Sequence, residues 1–271
     1  MRKGGSHHAL SPTILWAQVN KIPAVTIWFW LIKTMITGAD VAWPDYLYQR
    51  LGQLPVSGMI CLTLSATLVA QFRVRSYRAW VFWPAVIAVS VAGTEAANGL
   101  YDELGLSYSV IAAEYLVLLT GLIAWWQARE RTVSLRQVHT LRREAFYWAV
   151  ALTAFALGTA TSHITLVSLL TRPMSGPWIW AALIGCVTVA WKWLGLNPAL
   201  AFWACYVLTR PLGTSIALLL SDARNKGGLG LGQWPVSVAF ASGVIILVTY
   251  LAVRAPGCPG REPRNHVISA S

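Results

Sequence analysis

The sequence is short of charge: only 11% of its 271 residues are Asp, Glu, Lys or Arg. A soluble domain carries about 25% of these residues, because its surface faces water. The composition therefore argues against a soluble enzyme, a coiled coil or a disordered chain. Hydrophobic residues make up 56% of the chain, and its mean hydropathy is +0.55. This balance predicts an all-α integral membrane protein, whose partner is the lipid bilayer.

Motifs for metals, cofactors and catalysis are scarce as well. The four cysteines form no Cys-x-x-Cys pair, so neither a disulfide framework nor a thiolate metal site is indicated. His163 is the only histidine in an apolar run, and we interpret it as a hydrogen-bonded polar side chain rather than a haem ligand. The glycine-rich segment 226–232 lacks the Gly-Lys-Ser/Thr ending of a phosphate loop. We expect no bound cofactor and no enzymatic activity.

Long apolar runs are abundant, and eight of them come close to the ~20 residues that cross a bilayer. The first is the weakest, because Lys33 and Asp40 interrupt it. The runs are roughly 23–43, 56–72, 79–97, 107–127, 145–170, 176–194, 198–221 and 234–253. They predict a membrane domain over residues 23–253 between two tails, 1–22 and 254–271. No apolar stretch with a cleavage site follows the basic start, so a cleaved signal peptide is not expected.

The distribution of lysine and arginine predicts the orientation. With the N-terminus inside, 15 of the 21 basic residues fall in inner segments and four in outer loops. Basic residues concentrate on the cytoplasmic side of a membrane, so both termini and the linker 128–144 are predicted to be cytoplasmic. This bias also accounts for the net charge of +11, and a nucleic-acid partner is not indicated.

An aromatic–Trp pair recurs near the inner end of every odd-numbered span. The four pairs are Phe29-Trp30, Phe82-Trp83, Tyr147-Trp148 and Phe202-Trp203. Ten residues after the tryptophan stands Gly93, Gly158 or Gly213, each followed by Thr, whereas the first copy has Asp40 there. The pattern predicts four parallel two-helix repeats, at about 23–72, 79–127, 145–194 and 198–253. We interpret the pairs as an interfacial aromatic belt, with ligand stacking as the alternative.

Three segments carry a resemblance to a known family. They are KIPAVTIWFWLIK at 21–33, RREAFYW at 142–148 and LGLNPALAFWACYVLTRPLGTS at 194–215. Over residues 20–253 the chain resembles the bacterial uncharacterised membrane-anchored proteins, which are built from four tandem two-helix repeats of unknown function. The resemblance implies a multi-pass protein of the bacterial inner membrane. The repeat of that family typically has an acid five positions after its glycine, where this chain has Asp45, Asn98, His163 and Leu218.

Ionisable and hydroxyl side chains inside the predicted spans are the candidate binding residues, because charge in a bilayer is costly unless it is paired or hydrated. The candidates are Lys33, Asp40, Asp45, Thr94, Glu95, Glu114, Arg210 and Thr214. Lys33 and Arg210 are predicted near the midplane and the carboxylates closer to the outer face. These residues indicate either an outward-open polar cavity or structural ion pairs between helices. Glu95 and Glu114 are candidate partners of Arg210, and Asp40 and Glu114 are those of Lys33.

Two functions fit this pattern. The first is a transporter or permease for a small solute or cation, with carboxylate and hydroxyl oxygens as hard ligands and Arg210 as a gate. The Thr209–Thr214 stretch, with Pro211 and Gly213, is expected to break the seventh span. The alternative is a non-transporting accessory or sensor protein, since three repeat positions lack their acid. No metal-ligand set can be assigned.

Overall fold

The computed structural model describes residues 20–40, 43–131, 133, 138, 140–168 and 175–254, except the side chains of residues 44, 45 and 166–168. Within these residues all regular structure is helical. The α-helices are α1 (Ile27–Ala39), α2 (Trp43–Leu51), α3 (Gln53–Arg73), α4 (Ala79–Leu104), α5 (Tyr108–Glu130), α6 (Leu141–Ser168), α7 (Gly176–Trp193), α8 (Pro198–Ser221) and α9 (Gln233–Arg254). Most of the predicted tails, 1–19 and 255–271, and part of the 128–144 linker lie outside the described residues.

Six of the described helices are long and apolar enough to cross a membrane, namely α3, α4, α5, α6, α8 and α9. The prediction of an all-helical multi-pass membrane protein is confirmed to this extent. Helices α1 and α7 lie at the two remaining predicted spans. Helix α7 has 18 residues, and α1 has 13, or about 20 Å of length.

The first predicted span, 23–43, is wrong in its boundaries. Helix α1 ends at Ala39, and the separate helix α2 begins at Trp43. Proline at position 44 lies in the first turn of α2, where its missing N–H costs no helical hydrogen bond. The apolar run continues across this junction, so hydropathy did not reveal it.

The helices form an inner and an outer set. The inner helices α1, α4, α6 and α8 contact one another in a closed order, α1 with α8, α8 with α6, α6 with α4 and, narrowly, α4 with α1. Each outer helix packs on the inner helix of the next predicted repeat: α3 on α4, α5 on α6, α7 on α8 and α9 on α1. Half or more of the apolar windows of α4, α6 and α8 is buried, against less than a quarter for α3, α5 and α9.

The aromatic–Trp pairs meet inside the inner set and form a closed aromatic collar. In each predicted repeat the first aromatic residue contacts the tryptophan of the next repeat. The contacts are Phe29–Trp83 at 5.6 Å, Phe82–Trp148 at 5.6 Å, Tyr147–Trp203 at 5.7 Å and Phe202–Trp30 at 5.5 Å between ring centroids. The interplanar angles are equally uniform, at 45°, 45°, 48° and 47°.

The collar overturns the interpretation of these pairs as an interfacial belt. Trp83, Trp148 and Trp203 are at most 3% exposed. They lie on the helix faces that pack against the neighbouring inner helix, so they are core residues and not part of a lipid-facing belt. Edge-to-face and tilted aromatic contacts of this kind stabilise a core by about 0.5–1.5 kcal/mol per pair beyond their buried area.

The segments rich in arginine come together at one end of the bundle. The amide of Lys21 donates to the carbonyl of Val138, and its ammonium group lies 2.6 Å from the carboxylate of Glu144. Glu144 also accepts a hydrogen bond from Gln71 at 3.0 Å, and it is 1% exposed. Beside this cluster, burial raises the pKa of Tyr77 to about 12, and its hydroxyl accepts a hydrogen bond from Trp83. These contacts join chain segments that are far apart in sequence.

Helix α8 is not broken at Pro211, contrary to the sequence-based expectation. It runs without interruption from Pro198 to Ser221. Pro211 cannot donate to the carbonyl of Val207 four residues earlier, and this carbonyl lies against Gly158 of α6. Close packing between α6 and α8 therefore keeps the helix regular where the sequence suggested a gap.

Candidate functional site

The candidate site lies where the repeated packing of the inner helices changes. The spacing repeated within the chain places Gly93, Gly158 and Gly213 directly against the next inner helix, with no room for a β-carbon. Gly93 meets Phe155, Gly158 meets Arg210, and Gly213 meets Thr37. Each of these neighbours stands seven residues after its own collar tryptophan, so the three contacts are equivalent. Glycine lets the backbones approach, which is the usual way that membrane helices pack closely.

The fourth equivalent contact, between α1 and α4, has a carboxylate instead of a glycine. Asp40 stands at the glycine position, and Ser90 stands at the position seven residues after its collar tryptophan. The Ser90 hydroxyl donates to Asp40 Oδ2 at 3.1 Å. Because a side chain separates the two helices here, α1 and α4 touch only narrowly. The polar cluster occupies this wider junction.

Arg210 reaches from α8 into the junction and neutralises Asp40. Its Nη1 lies 2.7 Å from Asp40 Oδ2 and 3.4 Å from the Ser90 hydroxyl oxygen, and its Nη2 donates to the Thr94 hydroxyl at 2.7 Å. The side chains of Arg210 and Asp40 are 7% and 6% exposed. Among the described residues, the buried Nε of Arg210 has no hydrogen-bond acceptor. A buried charge-assisted pair of this kind holds three helices together and costs desolvation of both ions.

The pairing differs from the one expected from sequence, which placed Glu95 or Glu114 beside Arg210. Asp40 was assigned to Lys33 instead. The helix order explains the exchange, since α1 packs directly on α8 and Asp40 lies about two turns beyond Lys33 along α1.

Lys33 is fully buried on α1, and the described residues offer it neutral partners. Its ammonium group donates to the Tyr206 carbonyl and to the Thr209 hydroxyl, both at 2.7 Å. It also lies 3.9 Å from the ring centroid of Tyr206 and 4.5 Å from that of Phe155. Carbonyl, hydroxyl and aromatic faces can stabilise an ammonium ion without an acid. The predicted pairing of Lys33 with Asp40 or Glu114 is therefore wrong.

Glu95 lies on α4, one residue beyond Thr94, in a separate half-buried cluster. It accepts a hydrogen bond from the Ser57 hydroxyl at 2.8 Å and a very short one from the Tyr48 hydroxyl. These partners come from α3 and α2, so Glu95 joins the first two helices after α1 to α4. The cluster is adjacent to the Asp40–Arg210 pair along the chain but has its own hydrogen bonds.

The remaining candidate residues are not part of the two clusters. Glu114 is exposed on α5 and faces away from the inner helices. Thr214 is half-buried on α8, and no hydrogen bond of its hydroxyl is found within the described part of the chain. The side chain of Asp45 lies outside the described residues. Of the eight candidate residues, the fold therefore brings Asp40, Thr94 and Arg210 together, with Lys33 beside them.

Sequence reasoning missed the partners of both clusters, namely Ser90, Tyr206 and Thr209 in the central one and Ser57 and Tyr48 beside Glu95. One of them had a detectable signal. Ser90 stands at the same repeat position as Thr37 and Arg210, seven residues after the collar tryptophan. Aligning the repeats at this position shows a polar side chain in three of the four copies. The alignment does not show which helix each of these side chains faces.

Two of the repeat positions that lack an acid, Asn98 and His163, lie in a third polar region. Tyr108 donates from its hydroxyl to Asn98 at 3.3 Å, and its ring stacks on His163 with centroids 4.2 Å apart. Tyr101 stacks on the opposite face of Tyr108 at 4.4 Å. His163 thus packs in an aromatic stack between helices, and this ring contact is its partner in place of the hydrogen bond expected from the sequence.

Chemically, the central cluster offers one paired carboxylate, two cations and three hydroxyl groups. In the part of the chain that the structure describes, no three His, Cys, Asp or Glu side chains converge on a common point. A tightly held structural metal would require such a set. In the central cluster Asp40 and Arg210 neutralise each other, and the neighbouring hydroxyl groups can both donate and accept hydrogen bonds.

Comparison with known proteins gives one match. The family model Repeat of Unknown Function (DUF347) matches residues 201–255, which comprise most of α8 and all of α9. The matched segment contains Trp203, Arg210 and Gly213, so it includes one collar tryptophan, the site arginine and one packing glycine. Neither a curated protein nor a solved structure matches the chain significantly. The last helix pair of this membrane-type helical chain is therefore similar to a repeat of unknown function.

Proposed function

We propose that the chain is a bacterial inner-membrane transporter for a small solute or cation, and that the Asp40–Arg210 junction is its substrate site. In this proposal the eight helices α1 and α3–α9 form four tandem two-helix repeats, and both termini are cytoplasmic. The closed collar contacts and the matched repeat at 201–255 support the repeats. The gathering of basic segments at one end supports the orientation.

The observation that carries the proposal is the replacement of a packing glycine by Asp40 at one of the four inner contacts. A bundle with a structural role alone would be more stable with the same close glycine contact at all four positions. Instead, a costly ion pair lies within the membrane-type core beside Ser90 and Thr94. Ionisable residues at such a position are functional candidates.

In the proposed mechanism a cation competes with Arg210 for Asp40. When the cation binds, the carboxylate and the neighbouring hydroxyl groups become its ligands, and Arg210 is released. The freed guanidinium group repels a second cation, and it returns to Asp40 when the first one leaves. In this proposal the collar closes one end of the bundle while the Asp40 junction is open to the other end, and the two ends open alternately. No catalytic step is involved.

Cation-dependent thermal stabilisation of the purified protein in detergent tests the binding step. Monovalent, divalent and organic cations are compared for the natural chain and for Asp40→Asn. We expect at least one cation to raise the melting temperature of the natural chain and to have a smaller effect on Asp40→Asn. Glu95→Gln, which alters the neighbouring cluster, is the matched control and should keep the response. The proposal fails if no cation stabilises the natural chain, or if Asp40→Asn responds equally.

Uptake or efflux of the stabilising cation in a deletion strain then tests transport itself. We expect the natural chain to restore cation flux, and Asp40→Asn at equal abundance to leave the strain defective.

Cysteine labelling tests the orientation. Single cysteines are introduced at Arg75 and at Glu103 in a background without the native cysteines. An impermeant reagent applied to intact cells should label position 103 only. Labelling at position 75 would reverse the proposed topology without affecting the site.

A non-transporting accessory or sensor protein is the second candidate. It is favoured because the carboxylates of the two neighbouring clusters already have partners within the protein. Asp40 pairs with Arg210, and Glu95 accepts hydrogen bonds from Ser57 and Tyr48. In that case the ion pair locks α1 to α8, and the deletion strain should show no flux difference for any stabilising cation.

A further inference from the structure

A groove of about 470 Å³ lies between α5 and α6 at the arginine-rich end of the bundle, away from the central site. Most of its wall is apolar and comes from Leu122, Trp125, Phe146 and Ala149. Arg129 in the last turn of α5 and Arg142 in the first turn of α6 complete the lining. The groove therefore combines an apolar wall with two guanidinium groups at the end where both helices terminate.

The nearby acids leave these two arginines available. Glu130 is engaged by Arg143, whose Nε lies 2.8 Å from its carboxylate. Arg142 is 3.7 Å from the same carboxylate and its side chain is 74% exposed. No hydrogen bond or ion pair of Arg129 is found within the described part of the chain. The groove thus has a local excess of positive charge.

We propose that this groove binds an anionic phospholipid. The phosphate lies between Arg129 and Arg142, since a guanidinium group donates two parallel hydrogen bonds to phosphate oxygens. An acyl chain follows the wall past Trp125 and Phe146. Basic pockets between membrane helices at this depth suit anionic headgroups, and tryptophan is favoured at the membrane interface.

The apolar wall is what favours a lipid over a free phosphate ion. A soluble anion would use the two arginines alone and gain nothing from the wall. Trp125 is 54% exposed on an outer helix, where an acyl chain can cover it. A lipid covers this surface and the guanidinium groups together. The proposal depends on the membrane location of the protein and not on transport.

Lipid retention by the purified protein in neutral detergent, measured by native mass spectrometry, tests the proposal. The probes are phosphatidylglycerol, phosphatidylcholine and glycerol phosphate as the free headgroup. The natural chain should retain phosphatidylglycerol, and Arg129→Gln with Arg142→Gln should bind it about 30-fold more weakly. Arg73→Gln with Arg75→Gln removes the same charge from another exposed segment at this end and should retain the lipid. Ala149→Phe fills the apolar wall and should also weaken retention.

Each alternative result has a distinct meaning. Equal loss in both double variants would overturn the site, because it would show a general attraction to basic residues. Unchanged binding after Ala149→Phe, with glycerol phosphate competing as strongly as the lipid, would replace the lipid site by an anion site. Equal retention of phosphatidylcholine would exclude headgroup recognition. Circular dichroism of each variant confirms that the compared proteins are folded.

Discussion

The inner helices pack in different ways in their collar half and in their polar half. In the collar, four helix contacts repeat the same aromatic geometry within 0.2 Å in centroid distance, from 5.5 to 5.7 Å. In the polar half, three contacts repeat a glycine packing and the fourth contains Asp40, Ser90 and Arg210. The repeated sequence therefore holds the helices together, whereas the departure from it creates a charged junction. The following substitutions test this division.

The largest effect is expected at the charged junction itself. Arg210→Met leaves the Asp40 carboxylate buried without its cation, which should reduce the free energy of unfolding by about 3–5 kcal/mol. Adding Asp40→Asn removes the stranded charge and should restore part of the loss. Chemical unfolding in detergent of both single variants and the double variant measures the coupling. Strict additivity would show that Asp40 and Arg210 do not stabilise each other.

The partner of Arg210 could not be predicted from the sequence, for a physical reason. A membrane helix is apolar on all sides, so periodicity does not tell which face points inward. Glu114 was therefore a plausible partner, although it lies on the exposed face of α5. Pairing also depends on the order of helices around the bundle, and the closure of α1 on α8 is a long-range feature.

Repeat spacing predicted much more of the architecture. It identified the collar pairs and the packing glycines as equivalent positions, and the structure places them in equivalent contacts. The spacing did not predict that the pairs are buried, because a lipid-facing belt and a buried collar would place them at the same depth in the membrane. The end of α1 was missed because the residues that follow Asp40 continue the apolar run.

A smaller effect is expected at the packing glycines. Gly158→Ala places a β-carbon 2.6 Å from Cβ of Arg210, so α6 and α8 must move apart. Overpacking of this kind costs about 1–3 kcal/mol. Gly121→Ala on the outer helix α5 is the matched control and should not destabilise, because the added β-carbon meets no packing neighbour within 4 Å among the described residues. Thermal unfolding compares the two, and equal melting temperatures would contradict the close contact.

Substitutions in the collar should reduce the free energy of unfolding by nearly the same amount in each repeat. Phe29→Leu, Phe82→Leu and Phe202→Leu each replace a collar ring by an aliphatic side chain of smaller size. Loss of the aromatic contacts should cost about 0.5–1.5 kcal/mol in each case. Similar losses in chemical unfolding would confirm that the collar is uniform. One variant far more damaging than the others would show that the collar, too, contains a specialised position.

The smallest effect is expected at Lys33, although it is the most buried charge. Lys33→Met keeps the length of the side chain and its packing on Phe155 and Tyr206, where a thioether also makes favourable contacts. Thr209 retains its own hydrogen bond to the Tyr206 carbonyl at 2.9 Å, so no polar group is stranded. Removing an ion whose partners among the described residues are all neutral also removes its desolvation cost. We therefore expect the free energy of unfolding to change by less than about 1 kcal/mol, or to rise.

A loss as large as that of Arg210→Met would show that Lys33 belongs to the Asp40 ion pair. If Lys33→Met folds normally but abolishes cation-dependent stabilisation or flux, the charge serves the binding site, because its structural contribution has been excluded by the same measurement.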